Sequence, residues 1–150
     1  MQTQVGAFLA EVGAALEVVP AVRVAYVFGS RASGRARPNS DLDVAVLYDL
    51  RLDADGLESE GRDALASLTD AFGRLGESAD ILDLERSGSA VSFRAIRDGD
   101  CVLARDRAER ARLEARVGRR YDDEAPRRAL IRRAAARAAS RMEARLPGRS

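Results

Sequence analysis

The sequence predicts an α/β (α+β) domain, a small mixed β-sheet backed by helices, continued by a C-terminal helical tail. Three observations carry this expectation. Short runs rich in β-branched and aromatic residues, such as "VRVAYVF" and "DLDVAVLYD", alternate with stretches whose apolar residues recur at helical spacing. The 150-residue chain is 46% apolar, enough for one ordinary domain with its own core. From Arg107 onward it is almost all Arg, Ala and Glu, with no strand-like run.

Each element has its own signal. Residues 4–17 set Val5, Phe8, Leu9, Val12 and Leu16 at helical spacing, and Pro20 punctuates. Residues 22–28 read as a strand. Residues 29–40, "GSRASGRARPNS", are turn and loop chemistry with room for one helical turn. Residues 41–49 read as a second strand. After a polar loop at 51–56, Leu57, Leu65, Leu68, Phe72 and Leu75 mark a helix over 57–75. "ADILDL" (79–84) is a short third strand, a helix runs from about Ser89 to Gly99, and "CVLARD" (101–106) is a fourth strand. The remainder is helix with a break near "YDDEAP" (121–126), where Asp123 or Glu124 can cap a last helix carrying Pro126 in its first turn. The order is α-β-β-α-β-α-β-α-α.

Composition narrows the chemistry. The chain has no His, which excludes Ser-His-Asp and Cys-His catalysis and the usual zinc sites. All 25 basic residues are Arg, which excludes a P-loop lysine and Schiff-base chemistry. The single Cys, Cys101, forbids an internal disulfide and reads as a small hydrophobe opening an apolar strand. No run of apolar residues is long enough to cross a membrane. The N-terminus lacks a basic segment and carries Glu11 and Glu17, unlike a signal peptide. A cytoplasmic protein without membrane contact is expected. Charge is split: residues 1–104 hold 10 Arg against 17 Asp and Glu, net −7, and residues 105–150 hold 15 Arg against 7, net +8.

The densest chemistry lies in "VFGSRASGRARPNSDLDVAVLYD" (27–49). Gly29 directly after an apolar strand allows a tight turn and a close backbone approach to a ligand. A helical turn from Ser30 would add free N–H groups and a hydroxyl, a setting for an anion. On the next strand Asp41 and Asp43 are two residues apart, so they share a face with Cα atoms roughly 6.6 Å apart, while Leu42, Val44 and Val46 turn into the core. Paired carboxylates repel unless a cation lies between them or one is protonated. Oxygen-only ligands suit Mg²⁺, which is commonly held by one or two carboxylates together with substrate phosphates.

A third carboxylate is expected from a neighbouring strand, where "ADILDL" offers Asp80 and Asp83. Asp80 is preferred because, like Asp41 and Asp43, it comes at the start of its strand; Asp83 stays open as the alternative. Arg31, Arg35 and Arg37 surround the Gly-Ser loop and are candidates to grip triphosphate oxygens, Arg31 first; a solvated basic loop is the plainer reading. In the tail, Leu130, Ile131, Ala134, Ala138 and Met142 fit an amphipathic helix docking on this protein or a partner. The tail lacks interleaved aromatics, so nucleic acid is the less favoured partner.

Gly-Ser, ten residues, Asp-x-Asp and a later strand Asp resemble the DNA polymerase β-like nucleotidyltransferase superfamily. Together with "ADILDL" and "FRAIRDGDCVLARD" they resemble its minimal nucleotidyltransferases (MNT), and "RAERARLEARVGRRYDD" resembles the tail of MNT antitoxins paired with HEPN toxins. The resemblance runs from about residue 22 to 125. It implies a nucleotidyltransferase fold, with a nucleotidyltransferase domain over 1–106 and a basic helical extension over 107–150. It implies two Mg²⁺ ions held by Asp41, Asp43 and Asp80 as the catalytic carboxylates, with Gly29 and Ser30 as the phosphate-holding pair; Arg31 joins them on the nucleotide from the reading of the loop alone. The implied reaction is AMP transfer from ATP to a tyrosine of a HEPN-type toxin, which silences an RNase. An aminoglycoside-type enzyme with a small-molecule acceptor and a non-catalytic antitoxin acting by contact are the alternatives. Homo-oligomers or hetero-oligomers with the toxin are both compatible with the charge split.

Overall fold

The computed structural model describes residues 2–32, 34, 40–49 and 54–145. Ten elements follow in the order expected, with one helical turn added after the first strand: α1 (Gln2–Glu17), β1 (Val22–Phe28), α2 (Gly29–Ala32), β2 (Leu42–Tyr48), α3 (Ala54–Arg74), β3 (Ala79–Asp83), α4 (Ser89–Asp98), β4 (Asp100–Ala104), α5 (Arg107–Asp123) and α6 (Ala125–Arg145). Arg35 and Arg37 lie outside the described residues. No helix among the described residues is long and apolar enough to cross a membrane.

The sheet order is β3-β2-β1-β4. β1 runs antiparallel to β2 and β4, and β2 runs parallel to β3, so the sheet is mixed. A parallel neighbour needs a crossover, which α3 supplies between β2 and β3. Both faces are covered, which is why β1 and β2 read as nearly continuous apolar runs rather than alternating ones. On one face Leu42, Val44 and Val46 of β2 and Ala25 and Val27 of β1 pack with Val12 and Leu16 of α1 and Leu68 and Phe72 of α3. On the other, Val24, Tyr26, Ala45 and Leu47 pack with Leu84, with Ala95 of α4 and with Leu113 and Val117 of α5. Strand periodicity alone would put Val22 and Val24 on the same face. A register shift between Val22 and Val24 sends them to opposite faces.

Gly13 explains how closely α1 approaches the sheet. A Cβ there would lie 2.5 Å from the Val102 carbonyl oxygen of β4. Burial of Tyr26, 1% exposed, is matched by a partner for its hydroxyl: it donates to Glu114 Oε1 at 2.7 Å, and Arg110 Nε donates to the same carboxylate at 2.8 Å. Burial and the Glu114 carboxylate push the Tyr26 phenol well above its usual range. Cys101 is half-buried, and burial pushes its thiol up, as befits a small hydrophobe rather than a nucleophile.

α5 lies beyond residue 106, yet it shares the core. Leu113 is fully buried, and Arg120 donates to the carbonyls of Leu84, Glu85 and Ser87, tying α5 to the turn after β3. Ser89, the first residue of α4, hydrogen-bonds the carboxylate of Glu124 at the α5–α6 junction, and Gly88 takes the N-cap position of α4. Tyr121 stacks on Phe93 of α4 with centroids 4.1 Å apart, and Arg128 of α6 lies 3.6 Å over the Tyr121 ring. Past that junction α6 stands alone: every side chain from Leu130 to Arg145 is exposed.

Candidate active site

Of the expected site residues, Gly29, Asp41, Asp43 and Asp80 lie at one end of the sheet, where β1 finishes and β2 and β3 begin. The registers bring this about. Phe28 pairs with Asp43 across the antiparallel β1–β2 ladder, and Asp43 pairs with Asp80 across the parallel β2–β3 ladder. Phe28 packs with the core on the α4/α5 face, as do Ala45 and Leu47, two and four residues after Asp43, and Leu82, two residues after Asp80. With side chains alternating along each strand, Asp43 and Asp80 therefore lie side by side on that face. The Leu42 N–H donates to the Ser78 carbonyl at 2.9 Å and fixes the start of both strands.

Asp83 takes a different part. It stands at the far end of β3, where its carboxylate accepts from the N–H groups of Glu85 and Arg86 and from the Arg86 guanidinium at 2.7 Å. Those bonds shape the turn into α4. Asp83 also raises the phenol of Tyr48, which burial pushes up to about 12. Between the two aspartates of β3, register and partners place Asp80 at the Asp43 end.

Asp43 is the electrostatic centre. Burial first, then the charges of Asp80 and Asp41, hold its carboxyl above the usual range. Gly29 touches it: the backbone there has φ +74°, and a Cβ would fall 2.3 Å from Asp43 Oδ2. Position 29 thus requires glycine twice, for the left-handed backbone and for the room that the carboxylate occupies. Ser30 follows in α2, half-buried and engaged with neighbouring groups. Arg31 turns away. It pairs with Glu77 and lies 4.8 Å over the ring of Phe8, on the α1/α3 side of the sheet.

Phe28, Gly29 and Asp43 form one wall of a cleft of about 390 Å³. The other wall is α4, through Val91, Arg94 and Asp98. Asp98 is paired with Arg97 at 2.8 Å, which holds its carboxyl below the usual range. Arg94, whose charge also lowers the Asp98 carboxyl, is the other cleft-lining residue on this wall with a charge, and sequence reasoning missed it. No local sequence signal marks it, because a tertiary contact of Gly99 places it. A Cβ at Gly99 would lie 2.3 Å from the Ala95 carbonyl oxygen and 2.8 Å from that of Val27, so this glycine presses the end of α4 onto the end of β1. Residues one turn before it are brought to the mouth of the site.

The donor set fits a hard divalent cation. It contains oxygen ligands only, and the Asp43 carboxyl, raised by burial and then by the charges of Asp80 and Asp41, is a group whose ionised form such a cation would favour. Among the described residues no group of three or more His, Cys, Asp or Glu side chains gathers into a metal cage. Mutual repulsion opposes such closure in the bare chain, and Mg²⁺ ordinarily completes its shell with water and substrate phosphates.

Solved structures with the same fold include a toxin–antitoxin pair with AMP-PNP (22% identity, TM-score 0.61, covering 84% of this chain and 97% of that one). A mutant MntA–HpeT toxin–antitoxin pair aligns at 21% identity and TM-score 0.59, covering 81% of this chain and 93% of that one. A tri-AMPylated HEPN toxin from Shewanella oneidensis in complex with its MNT antitoxin aligns at 19% identity and TM-score 0.54, covering 89% and 98%. At these identities the likeness is one of fold. No curated protein sequence matches the chain. A family model described as polymerase beta, nucleotidyltransferase matches residues 11–108, well over half the chain. That span takes in β1, α2, β2, β3 and α4, hence every residue that builds the cleft, and the chain belongs to the polymerase β nucleotidyltransferase family.

Proposed function

We propose that this protein transfers AMP from ATP to a tyrosine hydroxyl of a HEPN-type toxin and so acts as its antitoxin. The observation that carries the reading is the pairing of Asp43 with Asp80, with Gly29 against the Asp43 carboxylate and Arg94 across the cleft. The structural relatives bound to AMP-PNP or to an AMPylated HEPN toxin support the choice of nucleotide and acceptor.

Asp41, Asp43 and Asp80 would hold two Mg²⁺ ions, which when bound stabilise the attacking and leaving oxygens of an in-line displacement. The residues of the chain divide the remaining work. Gly29 and Ser30 present backbone and hydroxyl to the phosphates, and the absence of a Cβ at position 29 leaves the Asp43 carboxylate its place. Arg94 supplies positive charge to the triphosphate from the opposite wall. Arg31, already paired with Glu77 and Phe8, serves the nucleotide indirectly by tethering the turn that carries Gly29 and Ser30. The tyrosine oxygen attacks the α-phosphorus, the bond to the β-phosphate oxygen breaks, pyrophosphate leaves, and the hydroxyl proton passes to Asp80. Catalysis of this kind rests on positioning and charge stabilisation, which suits a chain without His or Lys.

The test is incubation with ATP labelled at the α-phosphate, Mg²⁺ and the product of the adjacent open reading frame. Label is expected on the partner's tyrosine and absent with the Asp41→Asn/Asp43→Asn variant. Neutralisation of the toxin by that variant without labelling would replace transfer with simple contact. Label on an aminoglycoside and none on the partner would replace the acceptor.

A further inference from the structure

The proposed site is assembled from three stretches of chain: the turn at Gly29 and Ser30, the start of β2 and the start of β3. Main-chain bonds join the last two. The Leu42 N–H donates to the Ser78 carbonyl at 2.9 Å, and β2 pairs with β3 from Leu42 and Ala79 onward. The turn has less to hold it. α2 is four residues long and buries none of them fully, and so short a helix is not stable by itself.

Glu77 reaches this turn from the β3 side. Gly76 follows α3 with φ +71°. Its N–H donates to the Gly73 carbonyl at 3.0 Å, and the Glu77 N–H donates to the Phe72 carbonyl at 3.0 Å. The two bonds form a Schellman motif, which ends the helix and fixes the backbone at both residues. Glu77 therefore extends its side chain from a rigid base. It stands one residue before the carbonyl that holds Leu42 and three before Asp80.

The Glu77 carboxylate accepts from the Arg31 guanidinium of α2. The two side chains are only 19% and 20% exposed, so water screens this pair less than a pair on the open surface. Arg31 is also held 4.8 Å over the ring of Phe8 in α1. The guanidinium is thus gripped from α1 and from the turn between α3 and β3, and α2 is gripped with it.

We infer that Glu77 is a positioning residue: through Arg31 it fixes the Gly29–Ser30 turn against the strand starts that carry Asp43 and Asp80. Glu77 itself touches neither nucleotide nor metal. Its effect on rate rests on the transfer reading, whereas its hold on the turn is measurable without nucleotide or toxin.

Hydrogen exchange tests the hold. In Glu77→Ala, peptides spanning residues 29–32 should exchange at least tenfold faster, while those from the centres of β1 and β2 keep wild-type rates. Steady-state transfer tests the consequence, at 20 °C and below the melting temperature of each variant. A displacement of about 1 Å costs on the order of 100-fold in rate. Glu77→Ala and Arg31→Met should each lower kcat at least tenfold with a smaller rise in KM for ATP, because the groups that bind the nucleotide remain and only their alignment is lost. The double variant should be no slower than the slower single one, since both remove the same link. Glu77→Gln, whose amide oxygen still accepts from Arg31, should recover most of the rate.

A lower melting temperature with unchanged exchange at 29–32 and unchanged kcat would make the pair a plain stabilising contact and overturn the inference. A tenfold rise in KM with Arg31→Met but not with Glu77→Ala would put Arg31 on the triphosphate and also overturn it. Losses that multiply in the double variant would do the same. A wild-type chain that labels no acceptor, with exchange at 29–32 still quickened by Glu77→Ala, would refute the transfer reading while supporting the tether.

Discussion

Replacing Gly29 by Ala tests the centre of the proposed site, because two separate costs can be worked out. The first is conformational: φ is +74° at this position, and the left-handed region costs an L-residue ~1–2 kcal/mol. The second is steric. The new Cβ would fall 2.3 Å from Asp43 Oδ2 and 3.2 Å from its Cγ. The carboxylate must leave its rotamer, at ~0.5–1.5 kcal/mol. The sum, ~1.5–3.5 kcal/mol, corresponds to a melting temperature lower by ~3–14 °C for a domain of this size. Activity should fall further than stability. Moving a catalytic group by about 1 Å costs on the order of 100-fold in rate, so AMP transfer measured at 20 °C, where the variant is still folded, should drop about that much. Gly73→Ala is the control: it lies inside α3 with nothing within 4 Å of the added Cβ, and should stabilise by ~0.5–1 kcal/mol with full activity. Adding Asp43→Ala to Gly29→Ala should recover the steric share of the lost stability and leave the conformational share. A Gly29→Ala protein with wild-type melting temperature and wild-type rate would refute the reasoning.

Three further outcomes follow from the geometry. Asp80→Asn should abolish transfer in a protein that melts normally. Asp83→Ala, which loses the bonds to Glu85 and Arg86, should cost ~1 kcal/mol in urea titration and keep the activity; the reverse pattern would exchange their roles. The Asp43 carboxyl is raised in the fold above its ordinary 3.8, so folding favours its protonated form. The stability tied to protonation is present below the unfolded value and lost as pH rises through the raised native one. Asp43→Asn should therefore raise the melting temperature at pH 7, with an advantage that shrinks as pH falls toward 4. Mg²⁺ should raise the wild-type melting temperature more than that of the variant, and a variant less stable than wild type at pH 7 would contradict this. Leu113→Ala, at a fully buried position of α5, should cost ~2–5 kcal/mol. Leu130→Ala on α6, 66% exposed, should stay within ~0.5 kcal/mol, and equal costs would mean that α6 is packed.

The parts of the fold legible in the sequence were those set by short-range rules. Two-residue alternation put Asp43 on one face and Val44 and Val46 on the other, and Gly after an apolar run marked the turn at position 29. Asp80 was preferred to Asp83 from its place in the strand, and the parallel register supplies the physical reason: Asp80 faces Asp43, while Asp83 faces Val46. What escaped was set by distant neighbours. Arg94 reaches the cleft because Gly99 lets α4 press on β1, a contact with no local signature. Arg31 advertised a charge for phosphate, but Glu77 and Phe8, its partners, come from elements far along the chain. The role of α5 was masked by composition: the Leu113–Val117 pair is a core stripe one turn long, surrounded by so many arginines that the helix read as an appendage.

The mixed sheet also imposes an order of assembly. Gly29 and Asp43 are brought together by an antiparallel neighbour pair, β1 and β2, joined by a short connection. Asp80 arrives only after the chain has traversed α3 and returned in parallel. Such a crossover must lose more loop entropy before any contact rewards it. During refolding the proposed catalytic centre therefore exists first as a half-site with two carboxylates and a glycine, and gains its third carboxylate when β3 zips onto β2. Recovery of transfer activity would then lag the pairing of β1 with β2, and the interval between the two events would time the closing of the parallel pair.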